Sequence, residues 1–176
     1  MKSIKELNPS KEVLLDLDYN YQEGLTEKLD NIESDFNQEI VNEIILWKVN
    51  RYAKLNKESL DLINKIDKNS ININHALTGD ILLHLLYTKG IRLPMASTIL
   101  RFRNPNIYQI IDQRVYRLIY GEKLKLKTNI NDSIMQYLDY LNKLREVSER
   151  FDIPFSKADR ILYEYDRMNN LEKIDY

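Results

Sequence analysis

Two short stretches, Gly90-Ile91-Arg92-Leu93-Pro94-Met95-Ala96-Ser97 and Ile110-Ile111-Asp112-Gln113-Arg114-Val115, decide how this chain is read. Gly90 has no Cβ, so a turn there lets backbone come close to a ligand. The amides that open the following helix present hydrogen-bond donors and a partial positive charge. That combination suits a phosphate. Pro94 fits the start of a helix running to about Phe102, and Asn104-Pro105-Asn106 ends it. After a short extended piece from Tyr108 to Ile111, Asp112 opens another helix that stops at Gly121. Taken alone, the Gly90 segment also reads as an ordinary turn between helices, and Asp112 as an N-cap.

Apolar residues elsewhere recur mostly at three- and four-residue spacings, and four glycines and four prolines are few, which predicts an all-α chain. A first helix begins after Asn8-Pro9 and carries Val13, Leu14 and Leu17, with Gly24 marking the break after it. The segment from Ser34 to about Tyr52 puts Phe36, Ile40, Ile44, Ile45 and Trp47 near one face. Ser59 to Ile66 and His75 to Tyr87 are two further helices, separated by Lys68-Asn69-Ser70. Two more span about 131–150 and 155–169, the second entered through Pro154 with Ser156 and Asp159 as a capping pair. Ile71-Asn72-Ile73 is an ambiguous alternation. Short connections without repeats or low-complexity linkers predict a compact bundle of about eight helices in a single domain, 1–176, with the candidate catalytic region at about 80–121.

A chain of 176 residues with 43% hydrophobic content can build a real core. It has no cysteine, which excludes disulfides, thiol catalysis and a cysteine-ligated zinc or iron-sulfur site. No apolar run reaches membrane-spanning length, so the expectation is a soluble, cytoplasmic protein, monomeric by default and without a membrane partner. His75 and His84 have no partners at metal-ligand spacing, and no phosphate-binding Gly-rich loop or nucleophile elbow appears. No metal or other cofactor is expected.

Net charge is −1, but its distribution is uneven. Residues 1–40 hold four lysines against ten acidic residues, whereas 89–127 hold nine basic residues against Asp112 and Glu122. A polyanion such as duplex DNA would be drawn to the second region, with salt-dependent affinity.

Together the two opening stretches resemble the helix-hairpin-helix DNA glycosylase superfamily, over roughly residues 80–120. In that family a turn of the form G-h-G precedes a helix, a lysine or its substitute sits just inside the helix, and the catalytic aspartate follows eighteen residues later. Pro94 and Asp112 are eighteen apart. The resemblance implies DNA contacts at Lys89, Gly90, Ile91, Arg92, Pro94, Ala96 and Ser97, to which the basic run adds Arg114 and Arg117. It also implies a catalytic Asp112, which orients or deprotonates a water and stabilises positive charge on the sugar as the base departs.

The chain departs from the family pattern at two positions. Arg92 stands where the second turn glycine is usual, and Pro94 stands where bifunctional members carry the amine that forms a Schiff base. Lys89 reads as a phosphate contact rather than a substitute amine. The implied function is a base-excision DNA repair glycosylase that hydrolyses an N-glycosidic bond with little or no lyase activity. The alternative is a non-catalytic helix-hairpin-helix DNA-binding protein in which Asp112 only caps a helix. A protein-interaction domain is a third reading.

A glycosylase flips its target base against aromatic or apolar side chains. Trp47-Lys48 with Arg51-Tyr52 is one candidate cluster, and Tyr108 and Tyr116 flank Asp112; each aromatic also fits a core role. Asp159-Arg160 and Tyr165-Asp166-Arg167 read as solvated ion pairs or as an acid for the pocket.

Overall fold

A computed structural model describes residues 10, 13, 23–33, 35–49, 53–170 and 174. Among them are eight α-helices and no strand, as the apolar spacing predicts. The single domain expected over 1–176 divides into two compact units, Met1–Tyr52 and Ala53–Tyr176. The continuous buried apolar cluster is assembled from residues between Ile63 and Leu162.

The first unit contains α1 (Glu23–Asp30) and α2 (Gln38–Lys48). The helix expected around Val13 to Leu17 lies outside the described residues, Val13 apart. Gly24, expected at a helix break, sits in the first turn of α1, where a missing side chain interrupts nothing. Asn37 caps α2 by accepting from the Ile40 amide at 3.0 Å. No residue of α2 is buried, and Phe36 and Ile45 are exposed.

The second unit contains α3 (Lys57–Asn64), α4 (His75–Tyr87), α5 (Leu93–Arg103), α6 (Gln113–Tyr120), α7 (Ile130–Arg150) and α8 (Ala158–Asn169). Four of the six begin the same way: Asn56, Asn74, Asp112 and Asn129 each turn a side-chain oxygen onto a first-turn amide. Helix α5 differs. Its N-cap is Arg92, which makes no side-chain cap bond, and Pro94 lies in its first turn, where the missing amide forfeits no helical bond. Gly121 closes α6 in the left-handed conformation at φ 71°, its amide reaching the Arg117 carbonyl at 2.8 Å.

The C-terminal helix is broken where the sequence predicts continuity. A 3-10 turn, Phe155–Lys157, precedes α8, and no side chain caps that helix. Ser156 and Asp159 are therefore not a capping pair. The Ser156 carbonyl accepts from Arg101 at 3.2 Å, and the Asp159 carboxylate faces inward to accept from the Ile110 amide at 3.2 Å. Ile71-Asn72-Ile73 forms no strand; the Ser70 hydroxyl donates to the Asn72 carbonyl within a local turn.

Helix α7 supplies buried Tyr137, Tyr140, Leu141 and Leu144 to the core. Against it runs the irregular segment 104–112, in which Asn104, Ile107, Tyr108, Gln109 and Ile111 are all buried. Buried irregular backbone must find partners for its polar groups. Tyr137 and Tyr140 donate their hydroxyls to the carbonyls of Gln109 and Ile110 at 2.9 and 2.7 Å. Asn104 donates to the carbonyls of Asp67 and Ser70, and Gln109 accepts from the Asp159 amide at 3.3 Å. The segment that delivers Asp112 is thus pinned from three sides.

Candidate functional site

The turn between α4 and α5 is closed by the Ile91 amide donating to the Thr88 carbonyl at 3.1 Å. Gly90 occupies its third position at φ 90°, where a side chain would strain the backbone. Lys89, Gly90 and Arg92 are exposed, and Pro94 is half-buried. Ile91, Ala96 and Ser97 are buried, so their side chains belong to the core. The Ala96 amide is taken by the Arg92 carbonyl at 3.0 Å, whereas the earlier amides of α5 have no acceptor within the helix. The start of α5 therefore carries the positive end of the helix dipole next to exposed Arg92.

One hydroxyl joins this helix to the other half of the site. Ser97 donates to the Pro94 carbonyl at 2.8 Å and accepts from the Ile111 amide at 3.2 Å. The next residue is Asp112, half-buried, whose Oδ1 accepts from the Val115 amide at 2.9 Å. Burial pushes the Asp112 carboxyl above the usual carboxylate range; the amides of Val115 and Arg114 oppose this, and the nearby Asp159 and Asp166 charges add to it. Burial, followed by the Asp112 charge, likewise pushes the Tyr140 phenol well above its ordinary value. A carboxylate anchored by backbone on one side and partly open on the other can orient a water or stabilise a developing cation.

Arg114 and Arg117 turn inward rather than toward solvent. Asp166, fully buried on α8, accepts from the Arg117 Nε and Nη2 at 2.8 and 2.7 Å and from the Arg114 Nη1 at 3.1 Å. Asn170 adds a donor to the same carboxylate at 2.8 Å. Burial pushes the Asp166 carboxyl up, but the hydrogen bonds from Arg117, Asn170 and Arg114 outweigh it, so its pKa lies below the ordinary value. Asp159 is also buried, with Arg101 at 3.7 Å. The solvated-pair reading of these two acids is corrected: Asp159 and Asp166 face the core because α6 and the 104–112 segment bring donors to them.

The aromatic candidates have structural partners. Tyr108 is buried with its hydroxyl 2.6 Å from that of Thr78, which removes it from any open base pocket. Tyr116 is half-buried and stacks on Tyr120 at 4.3 Å between ring centres. In the first unit the Trp47 indole donates to the Thr26 hydroxyl at 2.8 Å, and Lys48 is exposed in the last turn of α2. Arg51 and Tyr52 lie outside the described residues. His84 stands 3.9 Å from Glu58. Among the described residues no three His, Asp or Glu side chains gather as a metal site, and no helix is long and apolar enough to cross a membrane.

A cleft and a groove open on this unit. A cleft of about 400 Å³ lies beside the turn, lined in part by Ile91, Arg92, Leu126 and Lys127. An apolar groove of about 500 Å³ runs between α6, the end of α7 and α8, lined in part by Leu118, Val147, Phe151 and Ile161. Sequence reasoning missed Gln113, Tyr137 and Tyr140 as the residues that fix the site. The available signal was two tyrosines three apart on an apolar helix face, each needing an acceptor for its hydroxyl. Compared with protein-family models, curated proteins and solved structures, the chain matches none of them.

Proposed function

We propose that the second unit binds DNA through the Gly90 turn and hydrolyses an N-glycosidic bond with Asp112, in the manner of the helix-hairpin-helix glycosylases that its sequence resembles. The observation that carries this reading is the linkage of the two motifs: the helix opened by the turn holds, through Ser97, the residue immediately before a half-buried, backbone-anchored aspartate. In the reaction, water adds to C1′ of the sugar as the bond from C1′ to the base nitrogen breaks. The electron pair of that bond leaves with the base, which takes a proton from solvent. Ionised Asp112 stabilises the cationic sugar and accepts the proton of the attacking water. With Pro94 at the position of the family's amine, no Schiff base forms there, so the product is an intact strand with an abasic site.

A non-catalytic DNA-binding domain is the second reading, favoured by the N-cap bond that Asp112 makes to the Val115 amide. Both are tested by one experiment. Duplex and single-stranded oligonucleotides carrying uracil, alkylated or oxidised bases are incubated with wild type and Asp112→Asn, and abasic sites are revealed with heat and alkali. Release by wild type alone, with binding retained by the variant, is the expected result. Salt-sensitive binding by both proteins with release by neither would support the second reading.

A further inference from the structure

Eight of the nine basic residues from Lys89 to Lys127 fall into two populations in the fold. Arg101, Arg114 and Arg117 face Asp159 and Asp166, and Arg103 donates to the Asn64 carbonyl at 2.8 Å. Lys89, Arg92, Lys125 and Lys127 remain exposed, with no ion pair among the described residues. Arg92 and Lys127 both line the 400 Å³ cleft. The turn and the start of α5 contribute Ile91, Arg92 and Leu93 to its lining, and the chain from Leu126 to Thr128 contributes a second stretch.

That second stretch is irregular chain held by side chains of α6 and α7. Gln113 pairs with Leu124 through both of its amide atoms, accepting from the Leu124 amide and donating to its carbonyl, each at 2.9 Å. Gln136 donates to the Lys125 carbonyl at 3.0 Å, and the Ser133 hydroxyl donates to the Lys127 carbonyl at 2.9 Å. Leu124 is buried in the core. With the carbonyls of 124, 125 and 127 drawn inward, the lysine side chains are left outward on a preorganised backbone, which lowers the ordering cost of binding. Gln113 is the first residue of α6, so the loop is braced by the helix that Asp112 caps.

We infer that this cleft seats one phosphodiester strand of duplex DNA, with Arg92 and Lys127 in its lining and the exposed Lys125 two residues before Lys127 neutralising successive phosphates. Apolar Leu86, Ile91 and Ile130 in the cleft lie against the sugars. The inference rests on the DNA-binding reading and extends it, since the contact surface continues past the turn onto a second element. A cluster of cations flanking a cleft of this kind adds affinity that is independent of sequence and sensitive to salt.

The test is the affinity of a labelled, unmodified duplex measured across a series of KCl concentrations for wild type, Arg92→Ala and Lys125→Ala/Lys127→Ala. Each neutralised phosphate contributes about 0.9 to the slope of log affinity against log salt. The double variant is expected to lower the slope by about 2 and Arg92→Ala by about 1, with unchanged thermal unfolding. A wild-type slope in the double variant would overturn the cleft while leaving DNA binding at the turn, Arg92 included, intact. Absence of salt-dependent binding by wild type would overturn both.

Discussion

The Ser97 hydroxyl holds the Ile111 amide at 3.2 Å across fourteen residues of sequence, and this bond joins the helix that starts at the turn to the residue before Asp112. Both residues are fully buried. The same hydroxyl donates to the Pro94 carbonyl at 2.8 Å, so its orientation is fixed by its own helix before it meets Ile111. A change at the turn is therefore felt one residue from the carboxylate through a single directional contact.

Ser97→Ala removes that acceptor and leaves a buried amide unpaired, which costs about 1–3 kcal/mol. The expected result in urea denaturation is a lower midpoint with an unchanged slope. Hydrogen exchange checks the mechanism, because the Ile111 amide should lose protection more than its neighbours. A loss spread evenly over the domain would show that Ser97 acts through packing alone.

Asp166 holds two arginines of α6 from a position with no solvent exposure. Asp166→Ala leaves both cations uncompensated and is expected to destabilise the domain by about 3–5 kcal/mol. The triple change Arg114→Met/Arg117→Met/Asp166→Leu removes the charges together and should recover most of that loss. The pH dependence follows from the lowered folded-state pKa. The contribution of Asp166 is complete above its unfolded value of about 3.9 and is lost as pH falls through the lower folded value. Wild type should lose stability in that acid window, and the triple variant should lose less, as followed by urea midpoints between neutral and acid pH.

The fold was legible where local chemistry decides it. Asp112 and Gly121 bound α6 because an N-cap and a left-handed C-cap are properties of single residues, and the apolar spacing of His75 to Tyr87 matches the bounds of α4. The inward course of Asp159 and Asp166 was not legible. An acidic residue beside an arginine on a helix looks the same whether water or another helix lies opposite, and the partner of Asp166, Arg117, is 49 residues away. The basic run misled in the complementary way, since Arg114 and Arg117 are cationic in sequence but engaged in the fold. Lys125 and Lys127 acquire meaning only once Gln113, Gln136 and Ser133 fix the loop between them and the turn.

Two glycines with open space around them should respond to alanine in opposite directions. Gly79 lies inside α4, where a Cβ meets no atom, so Gly79→Ala stabilises by about 0.4–1 kcal/mol through the unfolded chain. Gly90 is equally unobstructed but has φ 90°, so Gly90→Ala strains the turn and costs about 1–2 kcal/mol. Thermal melts of the two variants check the contrast, and a stabilised Gly90→Ala would rule out the positive-φ turn.

Asp112 separates capping from chemistry. Asparagine caps a helix as well as aspartate does, so Asp112→Asn keeps the bond to the Val115 amide, whereas Asp112→Ala loses about 0.5–2 kcal/mol. The folded-state pKa of Asp112 is raised, chiefly by burial, so its ionisation works against the fold. Wild type should lose stability relative to Asp112→Asn as pH rises from about 3.9, the unfolded value, through the folded value, and the difference should then stay constant. Asp112→Asn is thus expected to match wild type in acid and to melt higher at neutral pH. If base release occurs, the ionised carboxylate is the working form, so the wild-type rate should climb through that same raised pKa. A variant that is more stable than wild type yet releases no base would assign the carboxylate to the reaction rather than to the helix.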